Sequence, residues 1–304
     1  MSATVTCRAG TASDTGRHRS NNEDRVYADE SRGIFLVVDG VGGHAAGEKA
    51  AETAIEIIPQ QLEASNGSLE NRIRGAITAA NNRIFELSQE NEDWRGMACV
   101  LTLAVLEDDR VTVGHVGDSR LYLVWDGNLK KLTPDHSPVG ELEDQGELTE
   151  AEAMMHPRRN EVFRDVGLHL HEPADDHFIE IKSCAFHAEA ALLLCSDGLS
   201  DVLTSAEIGA IIETFEGDSE QVAHHLVEAA NEAGGKDNIS VIFVAGPEFV
   251  GAASKSMADA RTRHAITRQR GPVRHWKKWL TRATWFLAGI ITGILSALVV
   301  LRHV

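Results

Sequence analysis

The stretch IFLVVDGVGGHAAGEKAAETAIEIIPQQL, residues 34–62, carries the reading on which the fold turns. Its first five residues, 34–38, are apolar, the length of a buried strand, and Asp39-Gly40 ends the run. Further on the period changes: Ala50, Ala51, Ala54, Ile55, Ile58 and Leu62 fall on one face of a helix. What comes after this helix decides the architecture. Ile73, Ile77, Ala80, Ile84 and Leu87 share a face of a second helix, so no strand returns directly after the first. A parallel sheet needs strict β-α-β alternation, and that alternation is missing. The run from Gly40 to Ala45 fits the G-x-G-x-x-A dinucleotide fingerprint. The second helix argues against that fingerprint, and Asp39 would repel an incoming pyrophosphate.

Working outward, strands are expected near 4–11 and 25–30 before this stretch. After it they are expected near 99–106, 110–116, 119–125 and 128–132, with a turn at Asp126-Gly127. Residues 133–175 read as loop with short helices. The apolar run 190–195 reads as a buried strand, followed by helices near 204–215 and 218–232 and a last strand at 239–245. Strands, a helix pair, strands again and a late helix pair make an α+β domain with antiparallel sheets.

The 304 residues carry a net charge of −17, unevenly spread. Residues 248–304 hold ten Lys/Arg and two Asp/Glu, leaving 19 basic and 44 acidic residues in 1–247. A body that acidic repels nucleic acid and suits divalent cations or basic peptides. Of the cysteines, Cys7, Cys99, Cys184 and Cys195, none forms a CxxC pair, which argues against a zinc site and for a reducing compartment. The first ten residues, MSATVTCRAG, hold no apolar stretch, so no signal peptide is expected.

Residues 283–301, ATWFLAGIITGILSALVVL, are uncharged, and at helical rise they would extend roughly 28 Å, close to the hydrocarbon thickness. A transmembrane helix is expected there, after a basic juxtamembrane linker at 248–282. Arg261, Arg263, Arg268, Arg270, Arg274, Lys277, Lys278 and Arg282 place the preceding domain, 1–247, on the cytoplasmic side of a cell inner membrane, as a single-pass protein. Gly289 and Gly293 have the spacing that lets two such helices approach and form a homodimer.

Acidic residues stand where apolar runs end: Glu23 and Asp24 before the strand containing Val26, Asp39 after 34–38, Asp118 after 113–116, Asp197 after 191–195, and Asp237 before 239–245. One Asp-Gly after a strand is an ordinary turn. Several acids at the strand ends of one sheet system repel each other unless a cation is present, and oxygen-only donors favour Mg²⁺ or Mn²⁺. Such a cluster suits two-metal hydrolysis of a phosphate ester, with Arg19 able to hold phosphate by two hydrogen bonds.

These residues resemble, in order, the motifs of the type 2C (PPM) serine/threonine protein phosphatases: RSNNED (19–24), DGVGGH (39–44), VGDSR (116–120), SDGL (196–199) and GGKDN (234–238). LTPDHS (132–137) and HPRRN (156–160) resemble the flap of the bacterial, membrane-anchored members. The resemblance covers about 1–245. It implies two antiparallel sheets packed face to face between helix pairs, and two Mn²⁺ or Mg²⁺ ions. Asp39 would bridge both ions, Asp197 and Asp237 would complete the first site, and Glu23 with the Gly40 carbonyl would serve the second. Asp118, with Asp197 and some help from Asp201, would hold a third, weaker ion. Asp24 would support the water network, and Arg19 would bind the substrate phosphate. The implied substrates are phosphorylated proteins, with a membrane-bound Ser/Thr kinase as the opposing enzyme.

Three features depart from the pattern or stay open. Met97-Ala-Cys-Val100 stands where bacterial members read Met-Gly-Thr-Thr. His44 is displaced from the position next to the bridging Asp, so it is either the general acid or a hydrogen-bonding residue at a helix start. Arg158, Arg159 and Arg164 fit either phosphopeptide recruitment or a solvated basic patch. A catalytically silent membrane module is the rival from another class, and the full set of expected ligands counts against it.

Overall fold

The computed structural model describes residues 7–42 and 45–251. Among the described residues, ten strands form two five-stranded sheets in which every pairing is antiparallel. The first sheet joins β2 (Arg25–Asp29), β3 (Ile34–Val41), β4 (Ala98–Glu107), β5 (Arg110–Val116) and β8 (Glu180–Ala185) in that order. The second runs β1 (Arg8–Asp14), β10 (Ile239–Ala245), β9 (Ala191–Cys195), β6 (Arg120–Trp125) and β7 (Asn128–Lys131).

The central strands are apolar on both faces because both are covered. Along β3, Ile34, Leu36 and Val38 pack against α1 (Ala45–Ala64) and α2 (Leu69–Glu90). Phe35 and Val37 point the other way, onto Leu192, Leu194, Ile242 and Val244 of the opposite sheet. Strand alternation then puts the next odd residue, Asp39, on the inter-sheet face at the end of the sandwich. The second helix pair, α6 (Ser205–Ile212) and α7 (Ser219–Glu232), covers the outside of the second sheet through Ile208, Ile212, Val222, Leu226 and Ala230. Between β7 and β8 lie two short helices, α3 (Pro138–Asp144) and α4 (Glu150–Met154), and α5 (Asp197–Ser200) follows β9.

The antiparallel sandwich and both helix pairs agree with the expectation from sequence. Two strands differ. β1 begins and ends later than 4–11, and β8 was not foreseen. Edge strand β8, EIKSCA, pairs only with β5, is half-buried and has no alternation to mark it. The chain divides into a unit Met1–Lys255 and a second unit, Ser256–Val304. The expected span 283–301, the Gly289/Gly293 pair and most of the linker lie outside the described residues. Among the described residues, no helix is long and apolar enough to cross a membrane.

Candidate metal centre

The end of the sandwich is built from close backbone approaches. A Cβ on Gly40 would lie 2.3 Å from the Gly47 carbonyl oxygen and 2.8 Å from that of Glu23, so only glycine lets β3 cross the start of α1 here. A Cβ on Gly198 would lie 2.0 Å from the Asn238 carbonyl, so the turn into α5 rests directly on the start of β10. These contacts join four acid-bearing corners in two pairs, Asp39 with Glu23 and Asp197 with Asp237. Asn238 ties the two pairs together. Its side-chain oxygen accepts from the Glu23 amide at 2.8 Å, while its amide donates to the carbonyls of Thr15 (2.9 Å) and Asn21 (2.8 Å).

Arg19, Glu23, Asp39, Gly40, Asp118, Asp197 and Asp237 consequently line one cavity of about 170 Å³. Of the other residues expected from sequence, Asp24 is buried and Asp201 lines a neighbouring cavity, while His44 lies outside the described residues. Asp39 is paired in register with Val100, which also lines the cavity, so the departure at 97–100 leaves the carboxylates in place.

The electrostatics are those of too many carboxylates in too little water. Burial, reinforced by Asp24, Asp197, Asp118 and Asp237, pushes Asp39 well above the usual carboxylate range. Burial and then Asp197 and Asp135 do the same to Asp118. Asp197 is raised to about 6 by burial and by Asp237. Asp24 is raised to about 7, chiefly by burial, against the lowering effect of hydrogen bonds from Ser196 and Ser240. Arg19 donates to Asp237 across 2.8 Å. One oxygen each of Asp24 and Asp197 is buried with no hydrogen-bond partner.

Among the described residues, no three Asp, Glu, His or Cys side chains converge on one point as a finished metal shell. They instead face a shared cavity with an orphaned oxygen on Asp197 in its wall, a second on buried Asp24, and unbalanced negative charge. That donor set, all oxygen, fits hard divalent cations.

Sequence reasoning missed the fastening role of Asn238 and the contribution of Asn160 and Val162 to the cavity wall. The signal for Asn238 was its place beside an acid at a strand start; Val162 gave none. Two of the three flap arginines have partners within the protein. Arg158 bonds Glu161 in an exposed pair, and Arg159 pairs with Asp201, so both are engaged within the protein. Asp201 shares a smaller cavity, about 20 Å³, with Asp118 and Asp197. None of the four thiols lines the larger cavity. Burial raises Cys7 to about 11 and Cys195 to about 12, and raises Cys99 and Cys184 as well.

Known proteins share both the sequence and this fold. The family model for protein phosphatase 2C matches residues 15–237. The serine/threonine phosphatase stp of Listeria welshimeri is 34% identical over 239 residues, which are 76% of this chain and 92% of that protein. The crystal structure of the Mycobacterium tuberculosis serine/threonine phosphatase PstP/Ppp superposes with a TM-score of 0.71 at 34% identity, covering 79% of this chain and 98% of that one. A structure of the PstP catalytic domain in complex with two manganese ions matches with a TM-score of 0.70 at 33% identity, over 80% of this chain and 99% of that one. With its carboxylate cavity at the mouth of two packed antiparallel sheets, this chain belongs to the protein phosphatase 2C family of metal-dependent serine/threonine protein phosphatases.

Proposed function

We propose that this cavity hydrolyses phosphoserine and phosphothreonine on proteins by direct attack of water, with its residues in the roles that their donor atoms suit. Asp39 would serve two Mn²⁺ or Mg²⁺ ions, Asp197 and Asp237 one of them, and Glu23 with the Gly40 carbonyl the other. Asp118 with Asp197 would hold a third. Bound there, the cations lower the pKa of water and neutralise charge on the phosphoryl group.

The remaining work falls to the chain. Arg19 stands at the cavity mouth with half its side chain exposed, where its fork can grip two phosphate oxygens. Its present partner, Asp237, keeps the guanidinium aimed at the cavity. Asp24 lies beneath the carboxylates, held by the Ser196 hydroxyl at 2.8 Å, and can orient water or hold a proton. His44 or a water is the candidate to protonate the leaving alkoxide. The observation that carries this reading is the convergence of seven expected residues on one cavity. The test is phosphate release from a phosphothreonine peptide with Mn²⁺ titrated and EDTA as control. Release that rises with Mn²⁺ and stops in EDTA supports it; release indifferent to both rules it out.

The same proposal covers the whole chain: a catalytic domain at 1–247, a basic linker at 248–282 and a membrane helix at 283–301, opposing a Ser/Thr kinase at the inner membrane. Its support is the uncharged run and its basic flank. Full-length protein should float with lipid vesicles while a chain ending at residue 255 stays behind. Equal behaviour of the two would remove the anchor from the proposal.

A further inference from the structure

His136 takes no part in the cavity, yet it touches both sides of it. It is 4% exposed and follows the short segment after β7. Its amide donates to the Gly117 carbonyl at 2.7 Å, and its ring Nδ1 accepts from the Gly117 amide at 3.0 Å. One residue therefore meets both polar groups of the glycine that precedes Asp118. Gly117 has φ of 108°, and a Cβ there would strike Val100 at 2.2 Å, so this turn has no slack of its own. On its other side, the His136 carbonyl accepts from the Phe163 amide at 2.9 Å, and the ring centroids of His136 and Phe163 are 6.2 Å apart. Phe163 directly follows Val162, which with Asn160 lines part of the cavity.

The chemistry of the ring fixes its form. Nδ1 can accept from buried Gly117 only if the ring proton sits on Nε2. Arg164 Nη1, 3.1 Å from Nε2, can also only donate and so competes for the ring's one lone pair; with that lone pair committed to Gly117, Arg164 makes no hydrogen bond to the ring. The neighbouring ring of His115, 4.8 Å away, is itself held by Thr102 at Nδ1 and the Pro134 carbonyl at Nε2. It backs His136 and leaves it one orientation.

The geometry points to His136 as a positioning residue that locks the Asp118 turn to the 160–164 wall, so that a carboxylate of the centre and the surface facing the substrate protein are set together. This rests on the phosphatase reading for its kinetic consequence only; the mechanical link is a property of the fold.

Two variants separate the lock from general packing. His136→Asn keeps an acceptor near the Nδ1 position, and His136→Gln carries its amide to the Nε2 position and leaves Gly117 unserved. Hydrogen exchange and steady-state kinetics are measured on both in the full chain. The expected result is faster exchange in His136→Gln at 115–119 and also at 160–166, although the Phe163 bond is made by backbone and is not itself altered. Its KM for a phosphothreonine peptide rises roughly tenfold, the scale of one unmet buried donor, while KM for p-nitrophenyl phosphate changes far less. His136→Asn stays near wild type in both readouts. The inference is overturned if Asn is as impaired as Gln, if exchange rises at 115–119 alone, or if both substrates lose KM equally. Failure of all turnover with the exchange pattern intact would instead strike the phosphatase reading and leave the lock standing.

Discussion

Two buried charge clusters stand two residues apart on the chain and behave oppositely. Arg120, at the start of β6, gives Nε to both oxygens of Asp135 at 3.1 Å and Nη2 to Asp135 and Glu143 at 2.6 and 2.8 Å, and Lys131 pairs with Asp144 at 2.7 Å beside them. Asp118, just before β6, belongs to a group of carboxylates that includes Asp39, Asp197 and Asp24 and has one short cationic contact, from Arg19 to Asp237. The first cluster pairs its carboxylates with cations of the protein itself and holds β6, β7 and α3 together. The second is incomplete, and its surplus negative charge is the binding energy it offers to a cation. Buried charge that is satisfied serves architecture; buried charge left unsatisfied serves chemistry.

The sharpest way to break this comparison is Asp39→Asn. Turnover should fall about a thousandfold or more, the scale of several kcal/mol of charge stabilisation. The metal-free protein should at the same time melt higher, since one repelling charge is gone. A variant that loses activity and also destabilises the metal-free fold would mean that Asp39 is structural. The mirror substitution, Arg120→Met, strands Asp135 and Glu143 and should lower unfolding free energy by about 3 kcal/mol in denaturant melts. Turnover of the folded fraction should fall far less than in Asp39→Asn.

A smaller effect sharpens the contrast by pH. Asp24 and Asp197 have folded pKa values raised to about 7 and about 6, above the unfolded carboxylate value of 3.8. A raised acid contributes stability that is fully present below its unfolded pKa and lost as pH rises through the folded one. Metal-free protein should therefore melt progressively lower from pH 5 to pH 8. Saturating Mn²⁺ should raise the melting temperature and remove most of that slope, because the cation takes the place of the protons. A flat metal-free profile would show that the carboxylates are not under strain.

Much of this was legible in the sequence, for reasons that particular residues make plain. The helix pair over the first sheet announced itself because Ala50, Ala54, Ile58, Ile73, Ile77 and Ile84 bury one face at helical period. The acids were legible because each stands where an apolar run stops. β8 was not, since an edge strand with Glu180 and Lys182 in it has no buried side to declare. Asn238 and His136 were quoted within motifs but their work was hidden. Each acts by hydrogen bonds to backbone groups distant in sequence, from Asn238 to residues 15–23 and from His136 to 117 and 163, and no local pattern records such partners.

The burial of Cys7, Cys99 and Cys195, with Cys184 half-buried, has a consequence for the conditions under which the enzyme works. A thiol with pKa of about 11 is ionised in only about one molecule in ten thousand at pH 7, and peroxide reacts with the thiolate. Phosphatases that use a cysteine nucleophile are silenced by such oxidants. This chain keeps its chemistry on oxygen ligands, so an oxidant that silences a cysteine nucleophile finds none in the lining of its cavity.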